Sequence, residues 1–320
     1  MHNLLIIAFI ITSSTIFTTI LIKIALNTFL KRFGQTVRTD VLDHHKSKEG
    51  TPTMGGGVIV VTMILCWLFF GSSSLESYVL LLALIGFAFI GFVDDCQKLI
   101  RGRGRGITVG QKTLLMLIVS IAIIYFLPDS QYWQIPFSNV TLDLGVWGPI
   151  LALLALIGTA NAVNLTDGLD GLVLMPIILA FSSFLVITLV LKIDHNFSWF
   201  LAGIIGSCAG VLLFNINPAK LFLGDTGALG LGGALATLAL MLKKAFLLLP
   251  LGLVFVVEAM SVILQVISFK FRGKRIFKMS PLHHHFELSG IRENTIVSVV
   301  WLLTFIVALL TVIFEVAVWL

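Results

Sequence analysis

Apolar runs long enough to cross a hydrocarbon layer recur from one end of this sequence to the other. They fall at about 4–25, 52–70, 76–93, 112–127, 146–160, 172–191, 198–214, 227–242, 246–267 and 294–318. Crossing a bilayer core takes about 20 residues, and the backbone polar groups of a crossing segment have to be satisfied inside it, which makes such runs helices. The chain of 320 residues is 58% hydrophobic and only 12% charged, against about 25% charged in a soluble domain. The fold expected is an all-α integral membrane protein of about ten transmembrane helices, folded as one domain over 1–320. No basic region precedes the first run, only Met1-His2-Asn3, so that run is expected to stay as a span rather than to be removed as a signal peptide. The run 227–242 is rich in Gly and Ala and is expected to pack closely against neighbouring helices.

Basic residues orient the array. The loops after the first, third, fifth, seventh and ninth runs hold Lys31, Arg32, Arg38, Lys46 and Lys48, then Lys98, Arg101, Arg103, Arg105 and Lys112, then Lys220, then Lys270, Arg272, Lys274, Arg275, Lys278 and Arg292. The opposite loops hold little beyond Lys192, Lys243 and Lys244. By the positive-inside rule the first set is cytoplasmic, and an even number of spans leaves both termini outside. The net charge of +5 is explained by this clustering, which suits topology and phosphate binding and gives no reason to expect nucleic acid. Cys66, Cys96 and Cys208 have neither a disulfide pattern nor metal-ligand spacing and read as small packing residues. On the outer side, 131–144 carries Tyr132, Trp133, Ile135, Phe137, Val140 and Leu142 around Pro136 and Ser138-Asn139. It reads as a short hairpin lying at the interface.

The reactive residues crowd into the cytoplasmic loops. Between the fifth and sixth runs, Asn161-Ala-Val-Asn164-Leu-Thr-Asp167-Gly168-Leu-Asp170-Gly171-Leu172 sets two carboxylates and two carboxamides at membrane depth with no Lys or Arg among them. Ionisable groups there are functional candidates. Asp167 and Asp170 would share a face on a helical turn. A helix beginning near Gly171 would offer its amides to an anion, and Asp170 could equally be that helix's N-cap. Asp94-Asp95 closes the third run. Paired carboxylates at a helix C-terminus call for positive charge, supplied either by Lys98 or Arg101 or by Mg²⁺, with a role as base also open. Asp225, in Gly224-Asp225-Thr226-Gly227, is either the N-cap of the eighth helix or a third carboxylate for metal-assisted phosphoryl transfer. It follows Asn215, Asn217, Lys220 and Phe222 on the same face. His283-His284-His285 cannot jointly ligate one zinc in helix geometry, so phosphate hydrogen bonding or proton handling is expected, with a plain surface role as the other reading. Arg101, Arg103 and Arg105 alternate with glycine, which topology and contact with anionic lipid would explain. Lys48 stands near Thr51-Pro52-Thr53-Met54-Gly55-Gly56 at the entry to the second span. Carboxylates for a divalent metal, basic groups for a diphosphate, amides and an aromatic ring for a nucleobase and a cavity between helices for a lipid suit one chemistry. It is transfer of a phosphosugar from a nucleotide to a lipid phosphate.

These motifs, with Asn215-x-x-Pro218-Ala219-Lys220, Phe222-Leu-Gly-Asp225-Thr-Gly227 and Pro281-Leu-His-His-His-Phe-Glu287, resemble over essentially the whole chain the phospho-N-acetylmuramoyl-pentapeptide transferases. That family lies in the polyprenyl-phosphate N-acetylhexosamine-1-phosphate transferase superfamily. The resemblance implies a multi-pass enzyme of the bacterial cytoplasmic membrane with its site on the cytoplasmic face. It implies Mg²⁺-dependent transfer of phospho-MurNAc-pentapeptide from UDP-MurNAc-pentapeptide to undecaprenyl phosphate, giving lipid I and UMP in peptidoglycan synthesis, and it allows a homodimer. Carried onto this sequence, it implies Asp225 on the metal, Asp94, Asp95 and His283 in catalysis, and Lys48, Asn215, Phe222 and Asp170 around uridine. Asn161, Asn164 and Asp167 fall in the adjacent polar pocket, with Thr53, Lys98, His284 and His285 completing the substrate contacts. The attack is expected to be direct, a phosphoryl-aspartate route remaining open. A transporter would place its acidic residues in mid-helix, whereas here nearly all sit at cytoplasmic ends with Glu258 the main exception, and a non-catalytic lipid scaffold would not need three carboxylate sites.

Overall fold

A computed structural model of the chain describes residues 2–28, 50–101, 106–193 and 197–319. Lys31, Arg32, Arg38, Lys46, Lys48, Arg103 and Arg105 lie outside the described residues. Helices form over each of the ten apolar runs: α1 (His2–Thr28), α2 (Gly55–Phe70), α3 (Leu75–Arg101), α4 (Val109–Tyr125), α5 (Trp147–Thr166), α6 (Leu174–Val190), α7 (Ser198–Asn215), α8 (Gly224–Met241), α10 (Leu253–Arg272) and α12 (Glu293–Ala317). Two short helices, α9 (Leu248–Leu251) and α11 (Leu282–Glu287), complete the described set. Six of these helices, α1, α3, α5, α7, α10 and α12, are long and apolar enough to cross a membrane, and α2, α4 and α6 are shorter apolar helices.

The expected hairpin is present. β1 (Tyr132–Gln134) pairs antiparallel with β2 (Thr141–Asp143), setting Trp133 opposite Leu142. Trp133 is buried, its indole N–H donating to the Ser130 carbonyl at 2.8 Å.

The helix α8 is the hub. It packs against α3 most extensively, then α5, α2 and α6, while α1 lies along α7. Every residue from Thr226 to Leu240 is buried, so its Gly and Ala content does what the sequence led us to expect, letting backbones approach. A close approach falls at Gly91 of α3, where a Cβ would overlap the Asp225 carbonyl. That contact carries α3 past the start of α8 and sets the two acidic motifs side by side.

Several boundaries differ from the sequence reading, and the differences matter for the site. Helix α3 runs to Arg101, two turns beyond the expected end. Asp94 and Asp95 are therefore inside the helix, where Lys98 pairs with Asp94 across one turn at 2.8 Å and favours continuation. Helix α5 likewise runs on to Thr166, which puts Asn161 and Asn164 on a helix, while Asp167 and Asp170 follow in turns and share no helical face. The ninth run is broken: a 3₁₀ turn at Ala245–Leu247 and α9 precede α10. Pro250 offers no amide hydrogen and Gly252 favours an end over a continuation.

Candidate functional site

One end of α3 and the first turn of α8 bring three carboxylates to a single ammonium. Lys98 Nζ lies 2.8 Å from Asp94 Oδ2, 3.8 Å from Asp95 Oδ1 and 2.7 Å from Asp225 Oδ1. Lys112, from the first turn of α4, reaches Asp225 Oδ2 at 2.5 Å and Asp94 Oδ2 at 3.7 Å. Asp94 and Asp95 are buried, at 4% exposure each, and of the sources of positive charge left open for them the structure shows Lys98. Asp94 Oδ1 also accepts the Ile107 amide at 2.7 Å, which ties the segment leading into α4 to α3. That entry is fixed further by a capping box, in which the Thr108 hydroxyl accepts from Gln111 N and the Gln111 side chain accepts from Thr108 N.

Asp95 has a different occupation. Its Oδ1 accepts Asp225 N at 3.3 Å, and its Oδ2 accepts Thr226 N at 3.0 Å and Thr226 Oγ1 at 2.7 Å. A carboxylate of α3 thus caps α8, satisfying orphan amides and meeting the positive end of the helix dipole. Asp225 does not cap its own helix: the helix starts at Gly224, the N-cap residue is Leu223, and no side-chain cap bond is made there. The cap reading of Asp225 is corrected on that geometry, and its carboxylate is turned to the lysines. Thr53 is buried beside Gly224, where a Cβ would come within 2.9 Å of its hydroxyl. The Thr53 loop is zipped to this turn by Phe222 N to Pro52 O at 2.8 Å, Gly55 N to Phe222 O at 2.9 Å and Gly56 N to Leu223 O at 2.9 Å. Phe222 is half-buried on that zipped strand of backbone.

A second polar cluster lies next to the first. Asp170 Oδ2 accepts Asn217 Nδ2 and Ala219 N, both at 3.0 Å, and Asp170 N donates to Glu293 Oε1 at 2.7 Å. Asn215 is buried, its carboxamide accepting from Gly171 N at 3.0 Å and donating to Leu221 O at 2.9 Å. These bonds lace the 161–173 segment to the 215–221 segment. The anion site expected at the start of the sixth helix is not formed as drawn, because α6 begins at Leu174 with Val173 as N-cap, and the amides of Asp170 and Gly171 are taken by Glu293 and Asn215. Asp170 does not cap α6 for the same reason. Asn161 turns its amide back to the Ile157 carbonyl at 3.0 Å, and Asn164 is half-buried on the same helix.

Asp167 joins the two clusters. It lies within electrostatic reach of Asp225, Asp95, Lys98 and Asp170. Desolvation pushes its carboxyl up to about 8, and the Asp225 and Asp95 charges add to the rise. Next to it, Gly168 lies under the ring of His283, so close that a Cβ would overlap Nε2. His283 is 1% exposed. His284 pairs with Glu287 at 2.7 Å, and His285 Nδ1 accepts the Lys278 amide at 3.1 Å, so these two engage their own loop.

Sequence reasoning missed Lys112 and Glu293 as site residues. Lys112 was counted only as a charge in a basic loop, though a lysine one turn into an otherwise apolar helix is itself a signal. Glu293 gives no comparable local sign, since first-turn glutamates are ordinary in helices.

Three loop segments and two helix ends thus converge on a carboxylate–lysine centre beside a polar pocket. Among the described residues no three His, Cys, Asp or Glu side chains stand close enough to hold a metal by themselves. Residues 77–243 match the glycosyl transferase family 4. The chain is 45% identical over 287 residues to the phospho-N-acetylmuramoyl-pentapeptide-transferase of Bacillus mycoides strain KBAB4, covering 87% of this chain and 88% of that protein. It is 43% identical over 297 residues to the protein of that name from Halalkalibacterium halodurans, covering 90% and 91%. The likeness to the Bacillus anthracis protein of that name is 45% over 287 residues, covering 87% and 88%. The chain belongs to this family of phospho-N-acetylmuramoyl-pentapeptide transferases. The matched 77–243 region contains the carboxylate–lysine centre, while His283 and Glu293 lie beyond it.

Proposed function

We propose that the chain transfers phospho-MurNAc-pentapeptide from UDP-MurNAc-pentapeptide to undecaprenyl phosphate, releasing UMP and forming lipid I. The relatives' shared name supports the reaction. The observation in the structure that carries it is the pair of lysines, Lys98 and Lys112, bracketing Asp225 with Asp94 alongside. This gives a diphosphate two cations and gives a divalent cation hard oxygen ligands. Mg²⁺ binds through one or two carboxylates together with substrate phosphates and water, so a site of two carboxylates fits it. Asp225 would hold the ion with Asp94 at its side, where it would neutralise charge developing on the diphosphate.

The chain's own groups supply the rest. Lys98 and Lys112 turn from Asp225 toward the donor phosphates when the diphosphate enters. Asp94 takes the proton of the lipid phosphate where one remains, a light requirement since the second pKa of a phosphate ester is near 6. An oxygen of the lipid phosphate attacks the phosphorus attached to MurNAc, that bond to UMP breaks, and UMP leaves. Asp95 holds the first turn of α8, and so Asp225, in place. Phe222 stacks on uracil, Lys48 and Asp170 border the nucleoside with the buried Asn215 bracing the 171 and 221 backbone behind them, and Asn161, Asn164, Asp167, His284 and His285 line the donor pocket, with Thr53 beside the metal-side turn. His283 faces the donor across Gly168. The one-sided basic loops support ten spans, both termini outside and the site on the cytoplasmic face of the cytoplasmic membrane.

The deciding experiment is UMP release from UDP-MurNAc-pentapeptide by purified protein with a polyprenyl phosphate, over a Mg²⁺ titration. UMP formation that requires both the lipid phosphate and the divalent ion is the expected result. Absence of release from folded protein with both present would overturn the reading.

A further inference from the structure

His283 and Glu258 form a pair that the reaction as described leaves unexplained. Glu258 sits in the middle of α10, and its carboxylate is buried at 5% exposure, although its neighbours Val257 and Met260 face outward. A cavity of about 410 Å³ runs between α10 and α12, lined by side chains such as Leu253, Val257, Val299 and Leu303, and Glu258 and His283 stand in its wall. A carboxylate in such a wall has little water and needs donors from the protein. Glu258 Oε2 is approached at 3.3 Å by the backbone N–H of His283 and at 3.3 Å by its Nδ1. Ser261, one turn on, gives its hydroxyl to the Glu258 carbonyl and not to the carboxylate.

A carboxylate can only accept, and a ring lone pair turned to it at 3.3 Å would be repelled, so Nδ1 is the nitrogen favoured to carry the hydrogen. The other nitrogen of a neutral imidazole is then an acceptor, and which is which follows from the partner of the first. Neither ring nitrogen of His283 makes a hydrogen bond among the described residues, although the side chain is 99% buried: Nδ1 faces the Glu258 carboxylate at 3.3 Å outside hydrogen-bond geometry, and Nε2 points at Gly168 beside Asp167. The neighbouring histidines are set by other groups. His284 Nδ1 faces Glu287 Oε2 at 2.7 Å and so also carries its hydrogen, whereas His285 Nδ1 accepts the Lys278 amide and so leaves its hydrogen on Nε2. Three consecutive histidines of one short helix are thereby chemically distinct.

We propose that Glu258 is a positioning residue: it fixes His283 as the Nδ1–H tautomer, so that Nε2 stands over Gly168 as a hydrogen-bond acceptor for a hydroxyl or amide N–H of the sugar–peptide donor. The phosphates are left to Lys98 and Lys112. Gly168 is part of the device, because any side chain there would occupy the space under Nε2. This assignment rests on the reading of His283 as facing the donor, and the test separates the two.

The test is ¹⁵N NMR of imidazole-labelled protein in nanodiscs, with the His283 signals assigned by their loss in His283→Gln, alongside steady-state kinetics. The wild-type protein is expected to show a pyrrole-type Nδ1 and a pyridine-type Nε2 at His283. Glu258→Gln keeps an acceptor and is expected to keep that pattern and most of the turnover. Glu258→Leu removes the acceptor of the buried His283 amide, so thermal stability is expected to fall, and its kinetics are read below its own unfolding temperature. The tautomer preference is then lost and kcat falls by about 10² with a smaller change in donor KM, the lower end of what a positioned acid–base group contributes. An Nε2–H tautomer in the wild-type protein, which needs no variant to be read, would overturn the proposal, as would an unchanged pattern in Glu258→Leu. A changed pattern with unchanged kcat would leave Glu258 as the partner of the ring and overturn the place of His283 in the reaction.

Discussion

Asp95 accepts three hydrogen bonds from the first turn of α8, and Asp225 accepts two from lysines, so substitutions of these neighbours are expected to separate. Asp95→Ala removes a helix cap and should cost about 0.5–2 kcal/mol of stability. Asp95→Asn keeps one acceptor oxygen and should recover much of that loss, as thermal unfolding in detergent will read. Asp225→Asn leaves its helix capped but removes the charge between Lys98 and Lys112. Turnover should fall by about 10² or more, the rate equivalent of several kcal/mol of lost charge stabilisation, and residual activity should need more Mg²⁺. Stability should fall as well, by about 1–3 kcal/mol, because two half-sheltered ammoniums lose their counter-charge. UMP release over a Mg²⁺ titration together with unfolding of the same preparation checks both. Asp167 gives a pH dependence. Its carboxyl is raised from 3.8 to about 8 in the folded protein, so between those values the folded state binds the proton that the unfolded state releases. Stability from this group is therefore full at the acid side and is lost as pH rises through about 8. Metal-free protein should melt progressively lower between pH 6 and 8.5, while Asp167→Asn should show a flatter profile. A wild-type profile as flat as the mutant's would remove Asp167 from the electrostatic centre.

The elements were more legible than their ends. Hydrophobic run length located ten helices because nothing else satisfies a backbone in lipid, and alternating aromatic residues located the hairpin from Tyr132 to Asp143. What the runs could not show is that α3 and α5 continue as helix after the apolar residues stop, since polar helix ends are stabilised by partners distant in sequence. Asp94 finds Ile107 and Lys98, and Asp95 finds α8. The site residues were legible as types and motifs, while their partnerships were not: Asp170 bonded to the 217–219 backbone and Asn215 spent on Gly171 and Leu221 are tertiary facts. The opposite end of the molecule holds another such fact. Lys244, 2% exposed, donates to Gln134 Oε1 at 2.6 Å and pairs with Glu315 at 2.5 Å, and Glu315 also accepts the Phe137 amide at 2.9 Å. This buried pair binds the hairpin to the last helix. Lys244→Met should cost about 3–5 kcal/mol by leaving Glu315 uncompensated, and adding Glu315→Leu should return most of it. Thermal unfolding of the two variants measures the difference, and a single mutant as stable as the double would show that the pair does not hold the hairpin.

At the scale of the molecule, the two ends are built for different solvents and different tasks. One carries the carboxylate–lysine centre, the segments laced around Asp170 and the histidine helix, and the other carries a small aromatic hairpin clamped by one ion pair. Between them α8 is buried almost along its length, so the centre cannot slide relative to the hairpin without unpacking the hub. A rigid array of this kind has only two orientations in a membrane, and the distribution of basic residues selects between them. In the sequence nearly all the lysine and arginine falls in the loops assigned to the carboxylate end, which is what supports the proposal that this end faces the cytoplasm. The donor proposed for the chain is a charged nucleotide that does not cross a bilayer unaided, so orientation and function have to agree. Single cysteines in a background lacking Cys96, with the buried Cys66 and Cys208 retained, test the agreement directly. Ser73→Cys and Asn139→Cys, at the hairpin end, should react with a membrane-impermeant maleimide in intact cells. Val109→Cys, 84% exposed at the start of α4, should react only after the membrane is permeabilised. Labelling of position 109 alone in intact cells would put Lys98, Lys112 and Asp225 on the outer face, away from any cytoplasmic nucleotide, and the proposed transfer could not then be the reaction of this site.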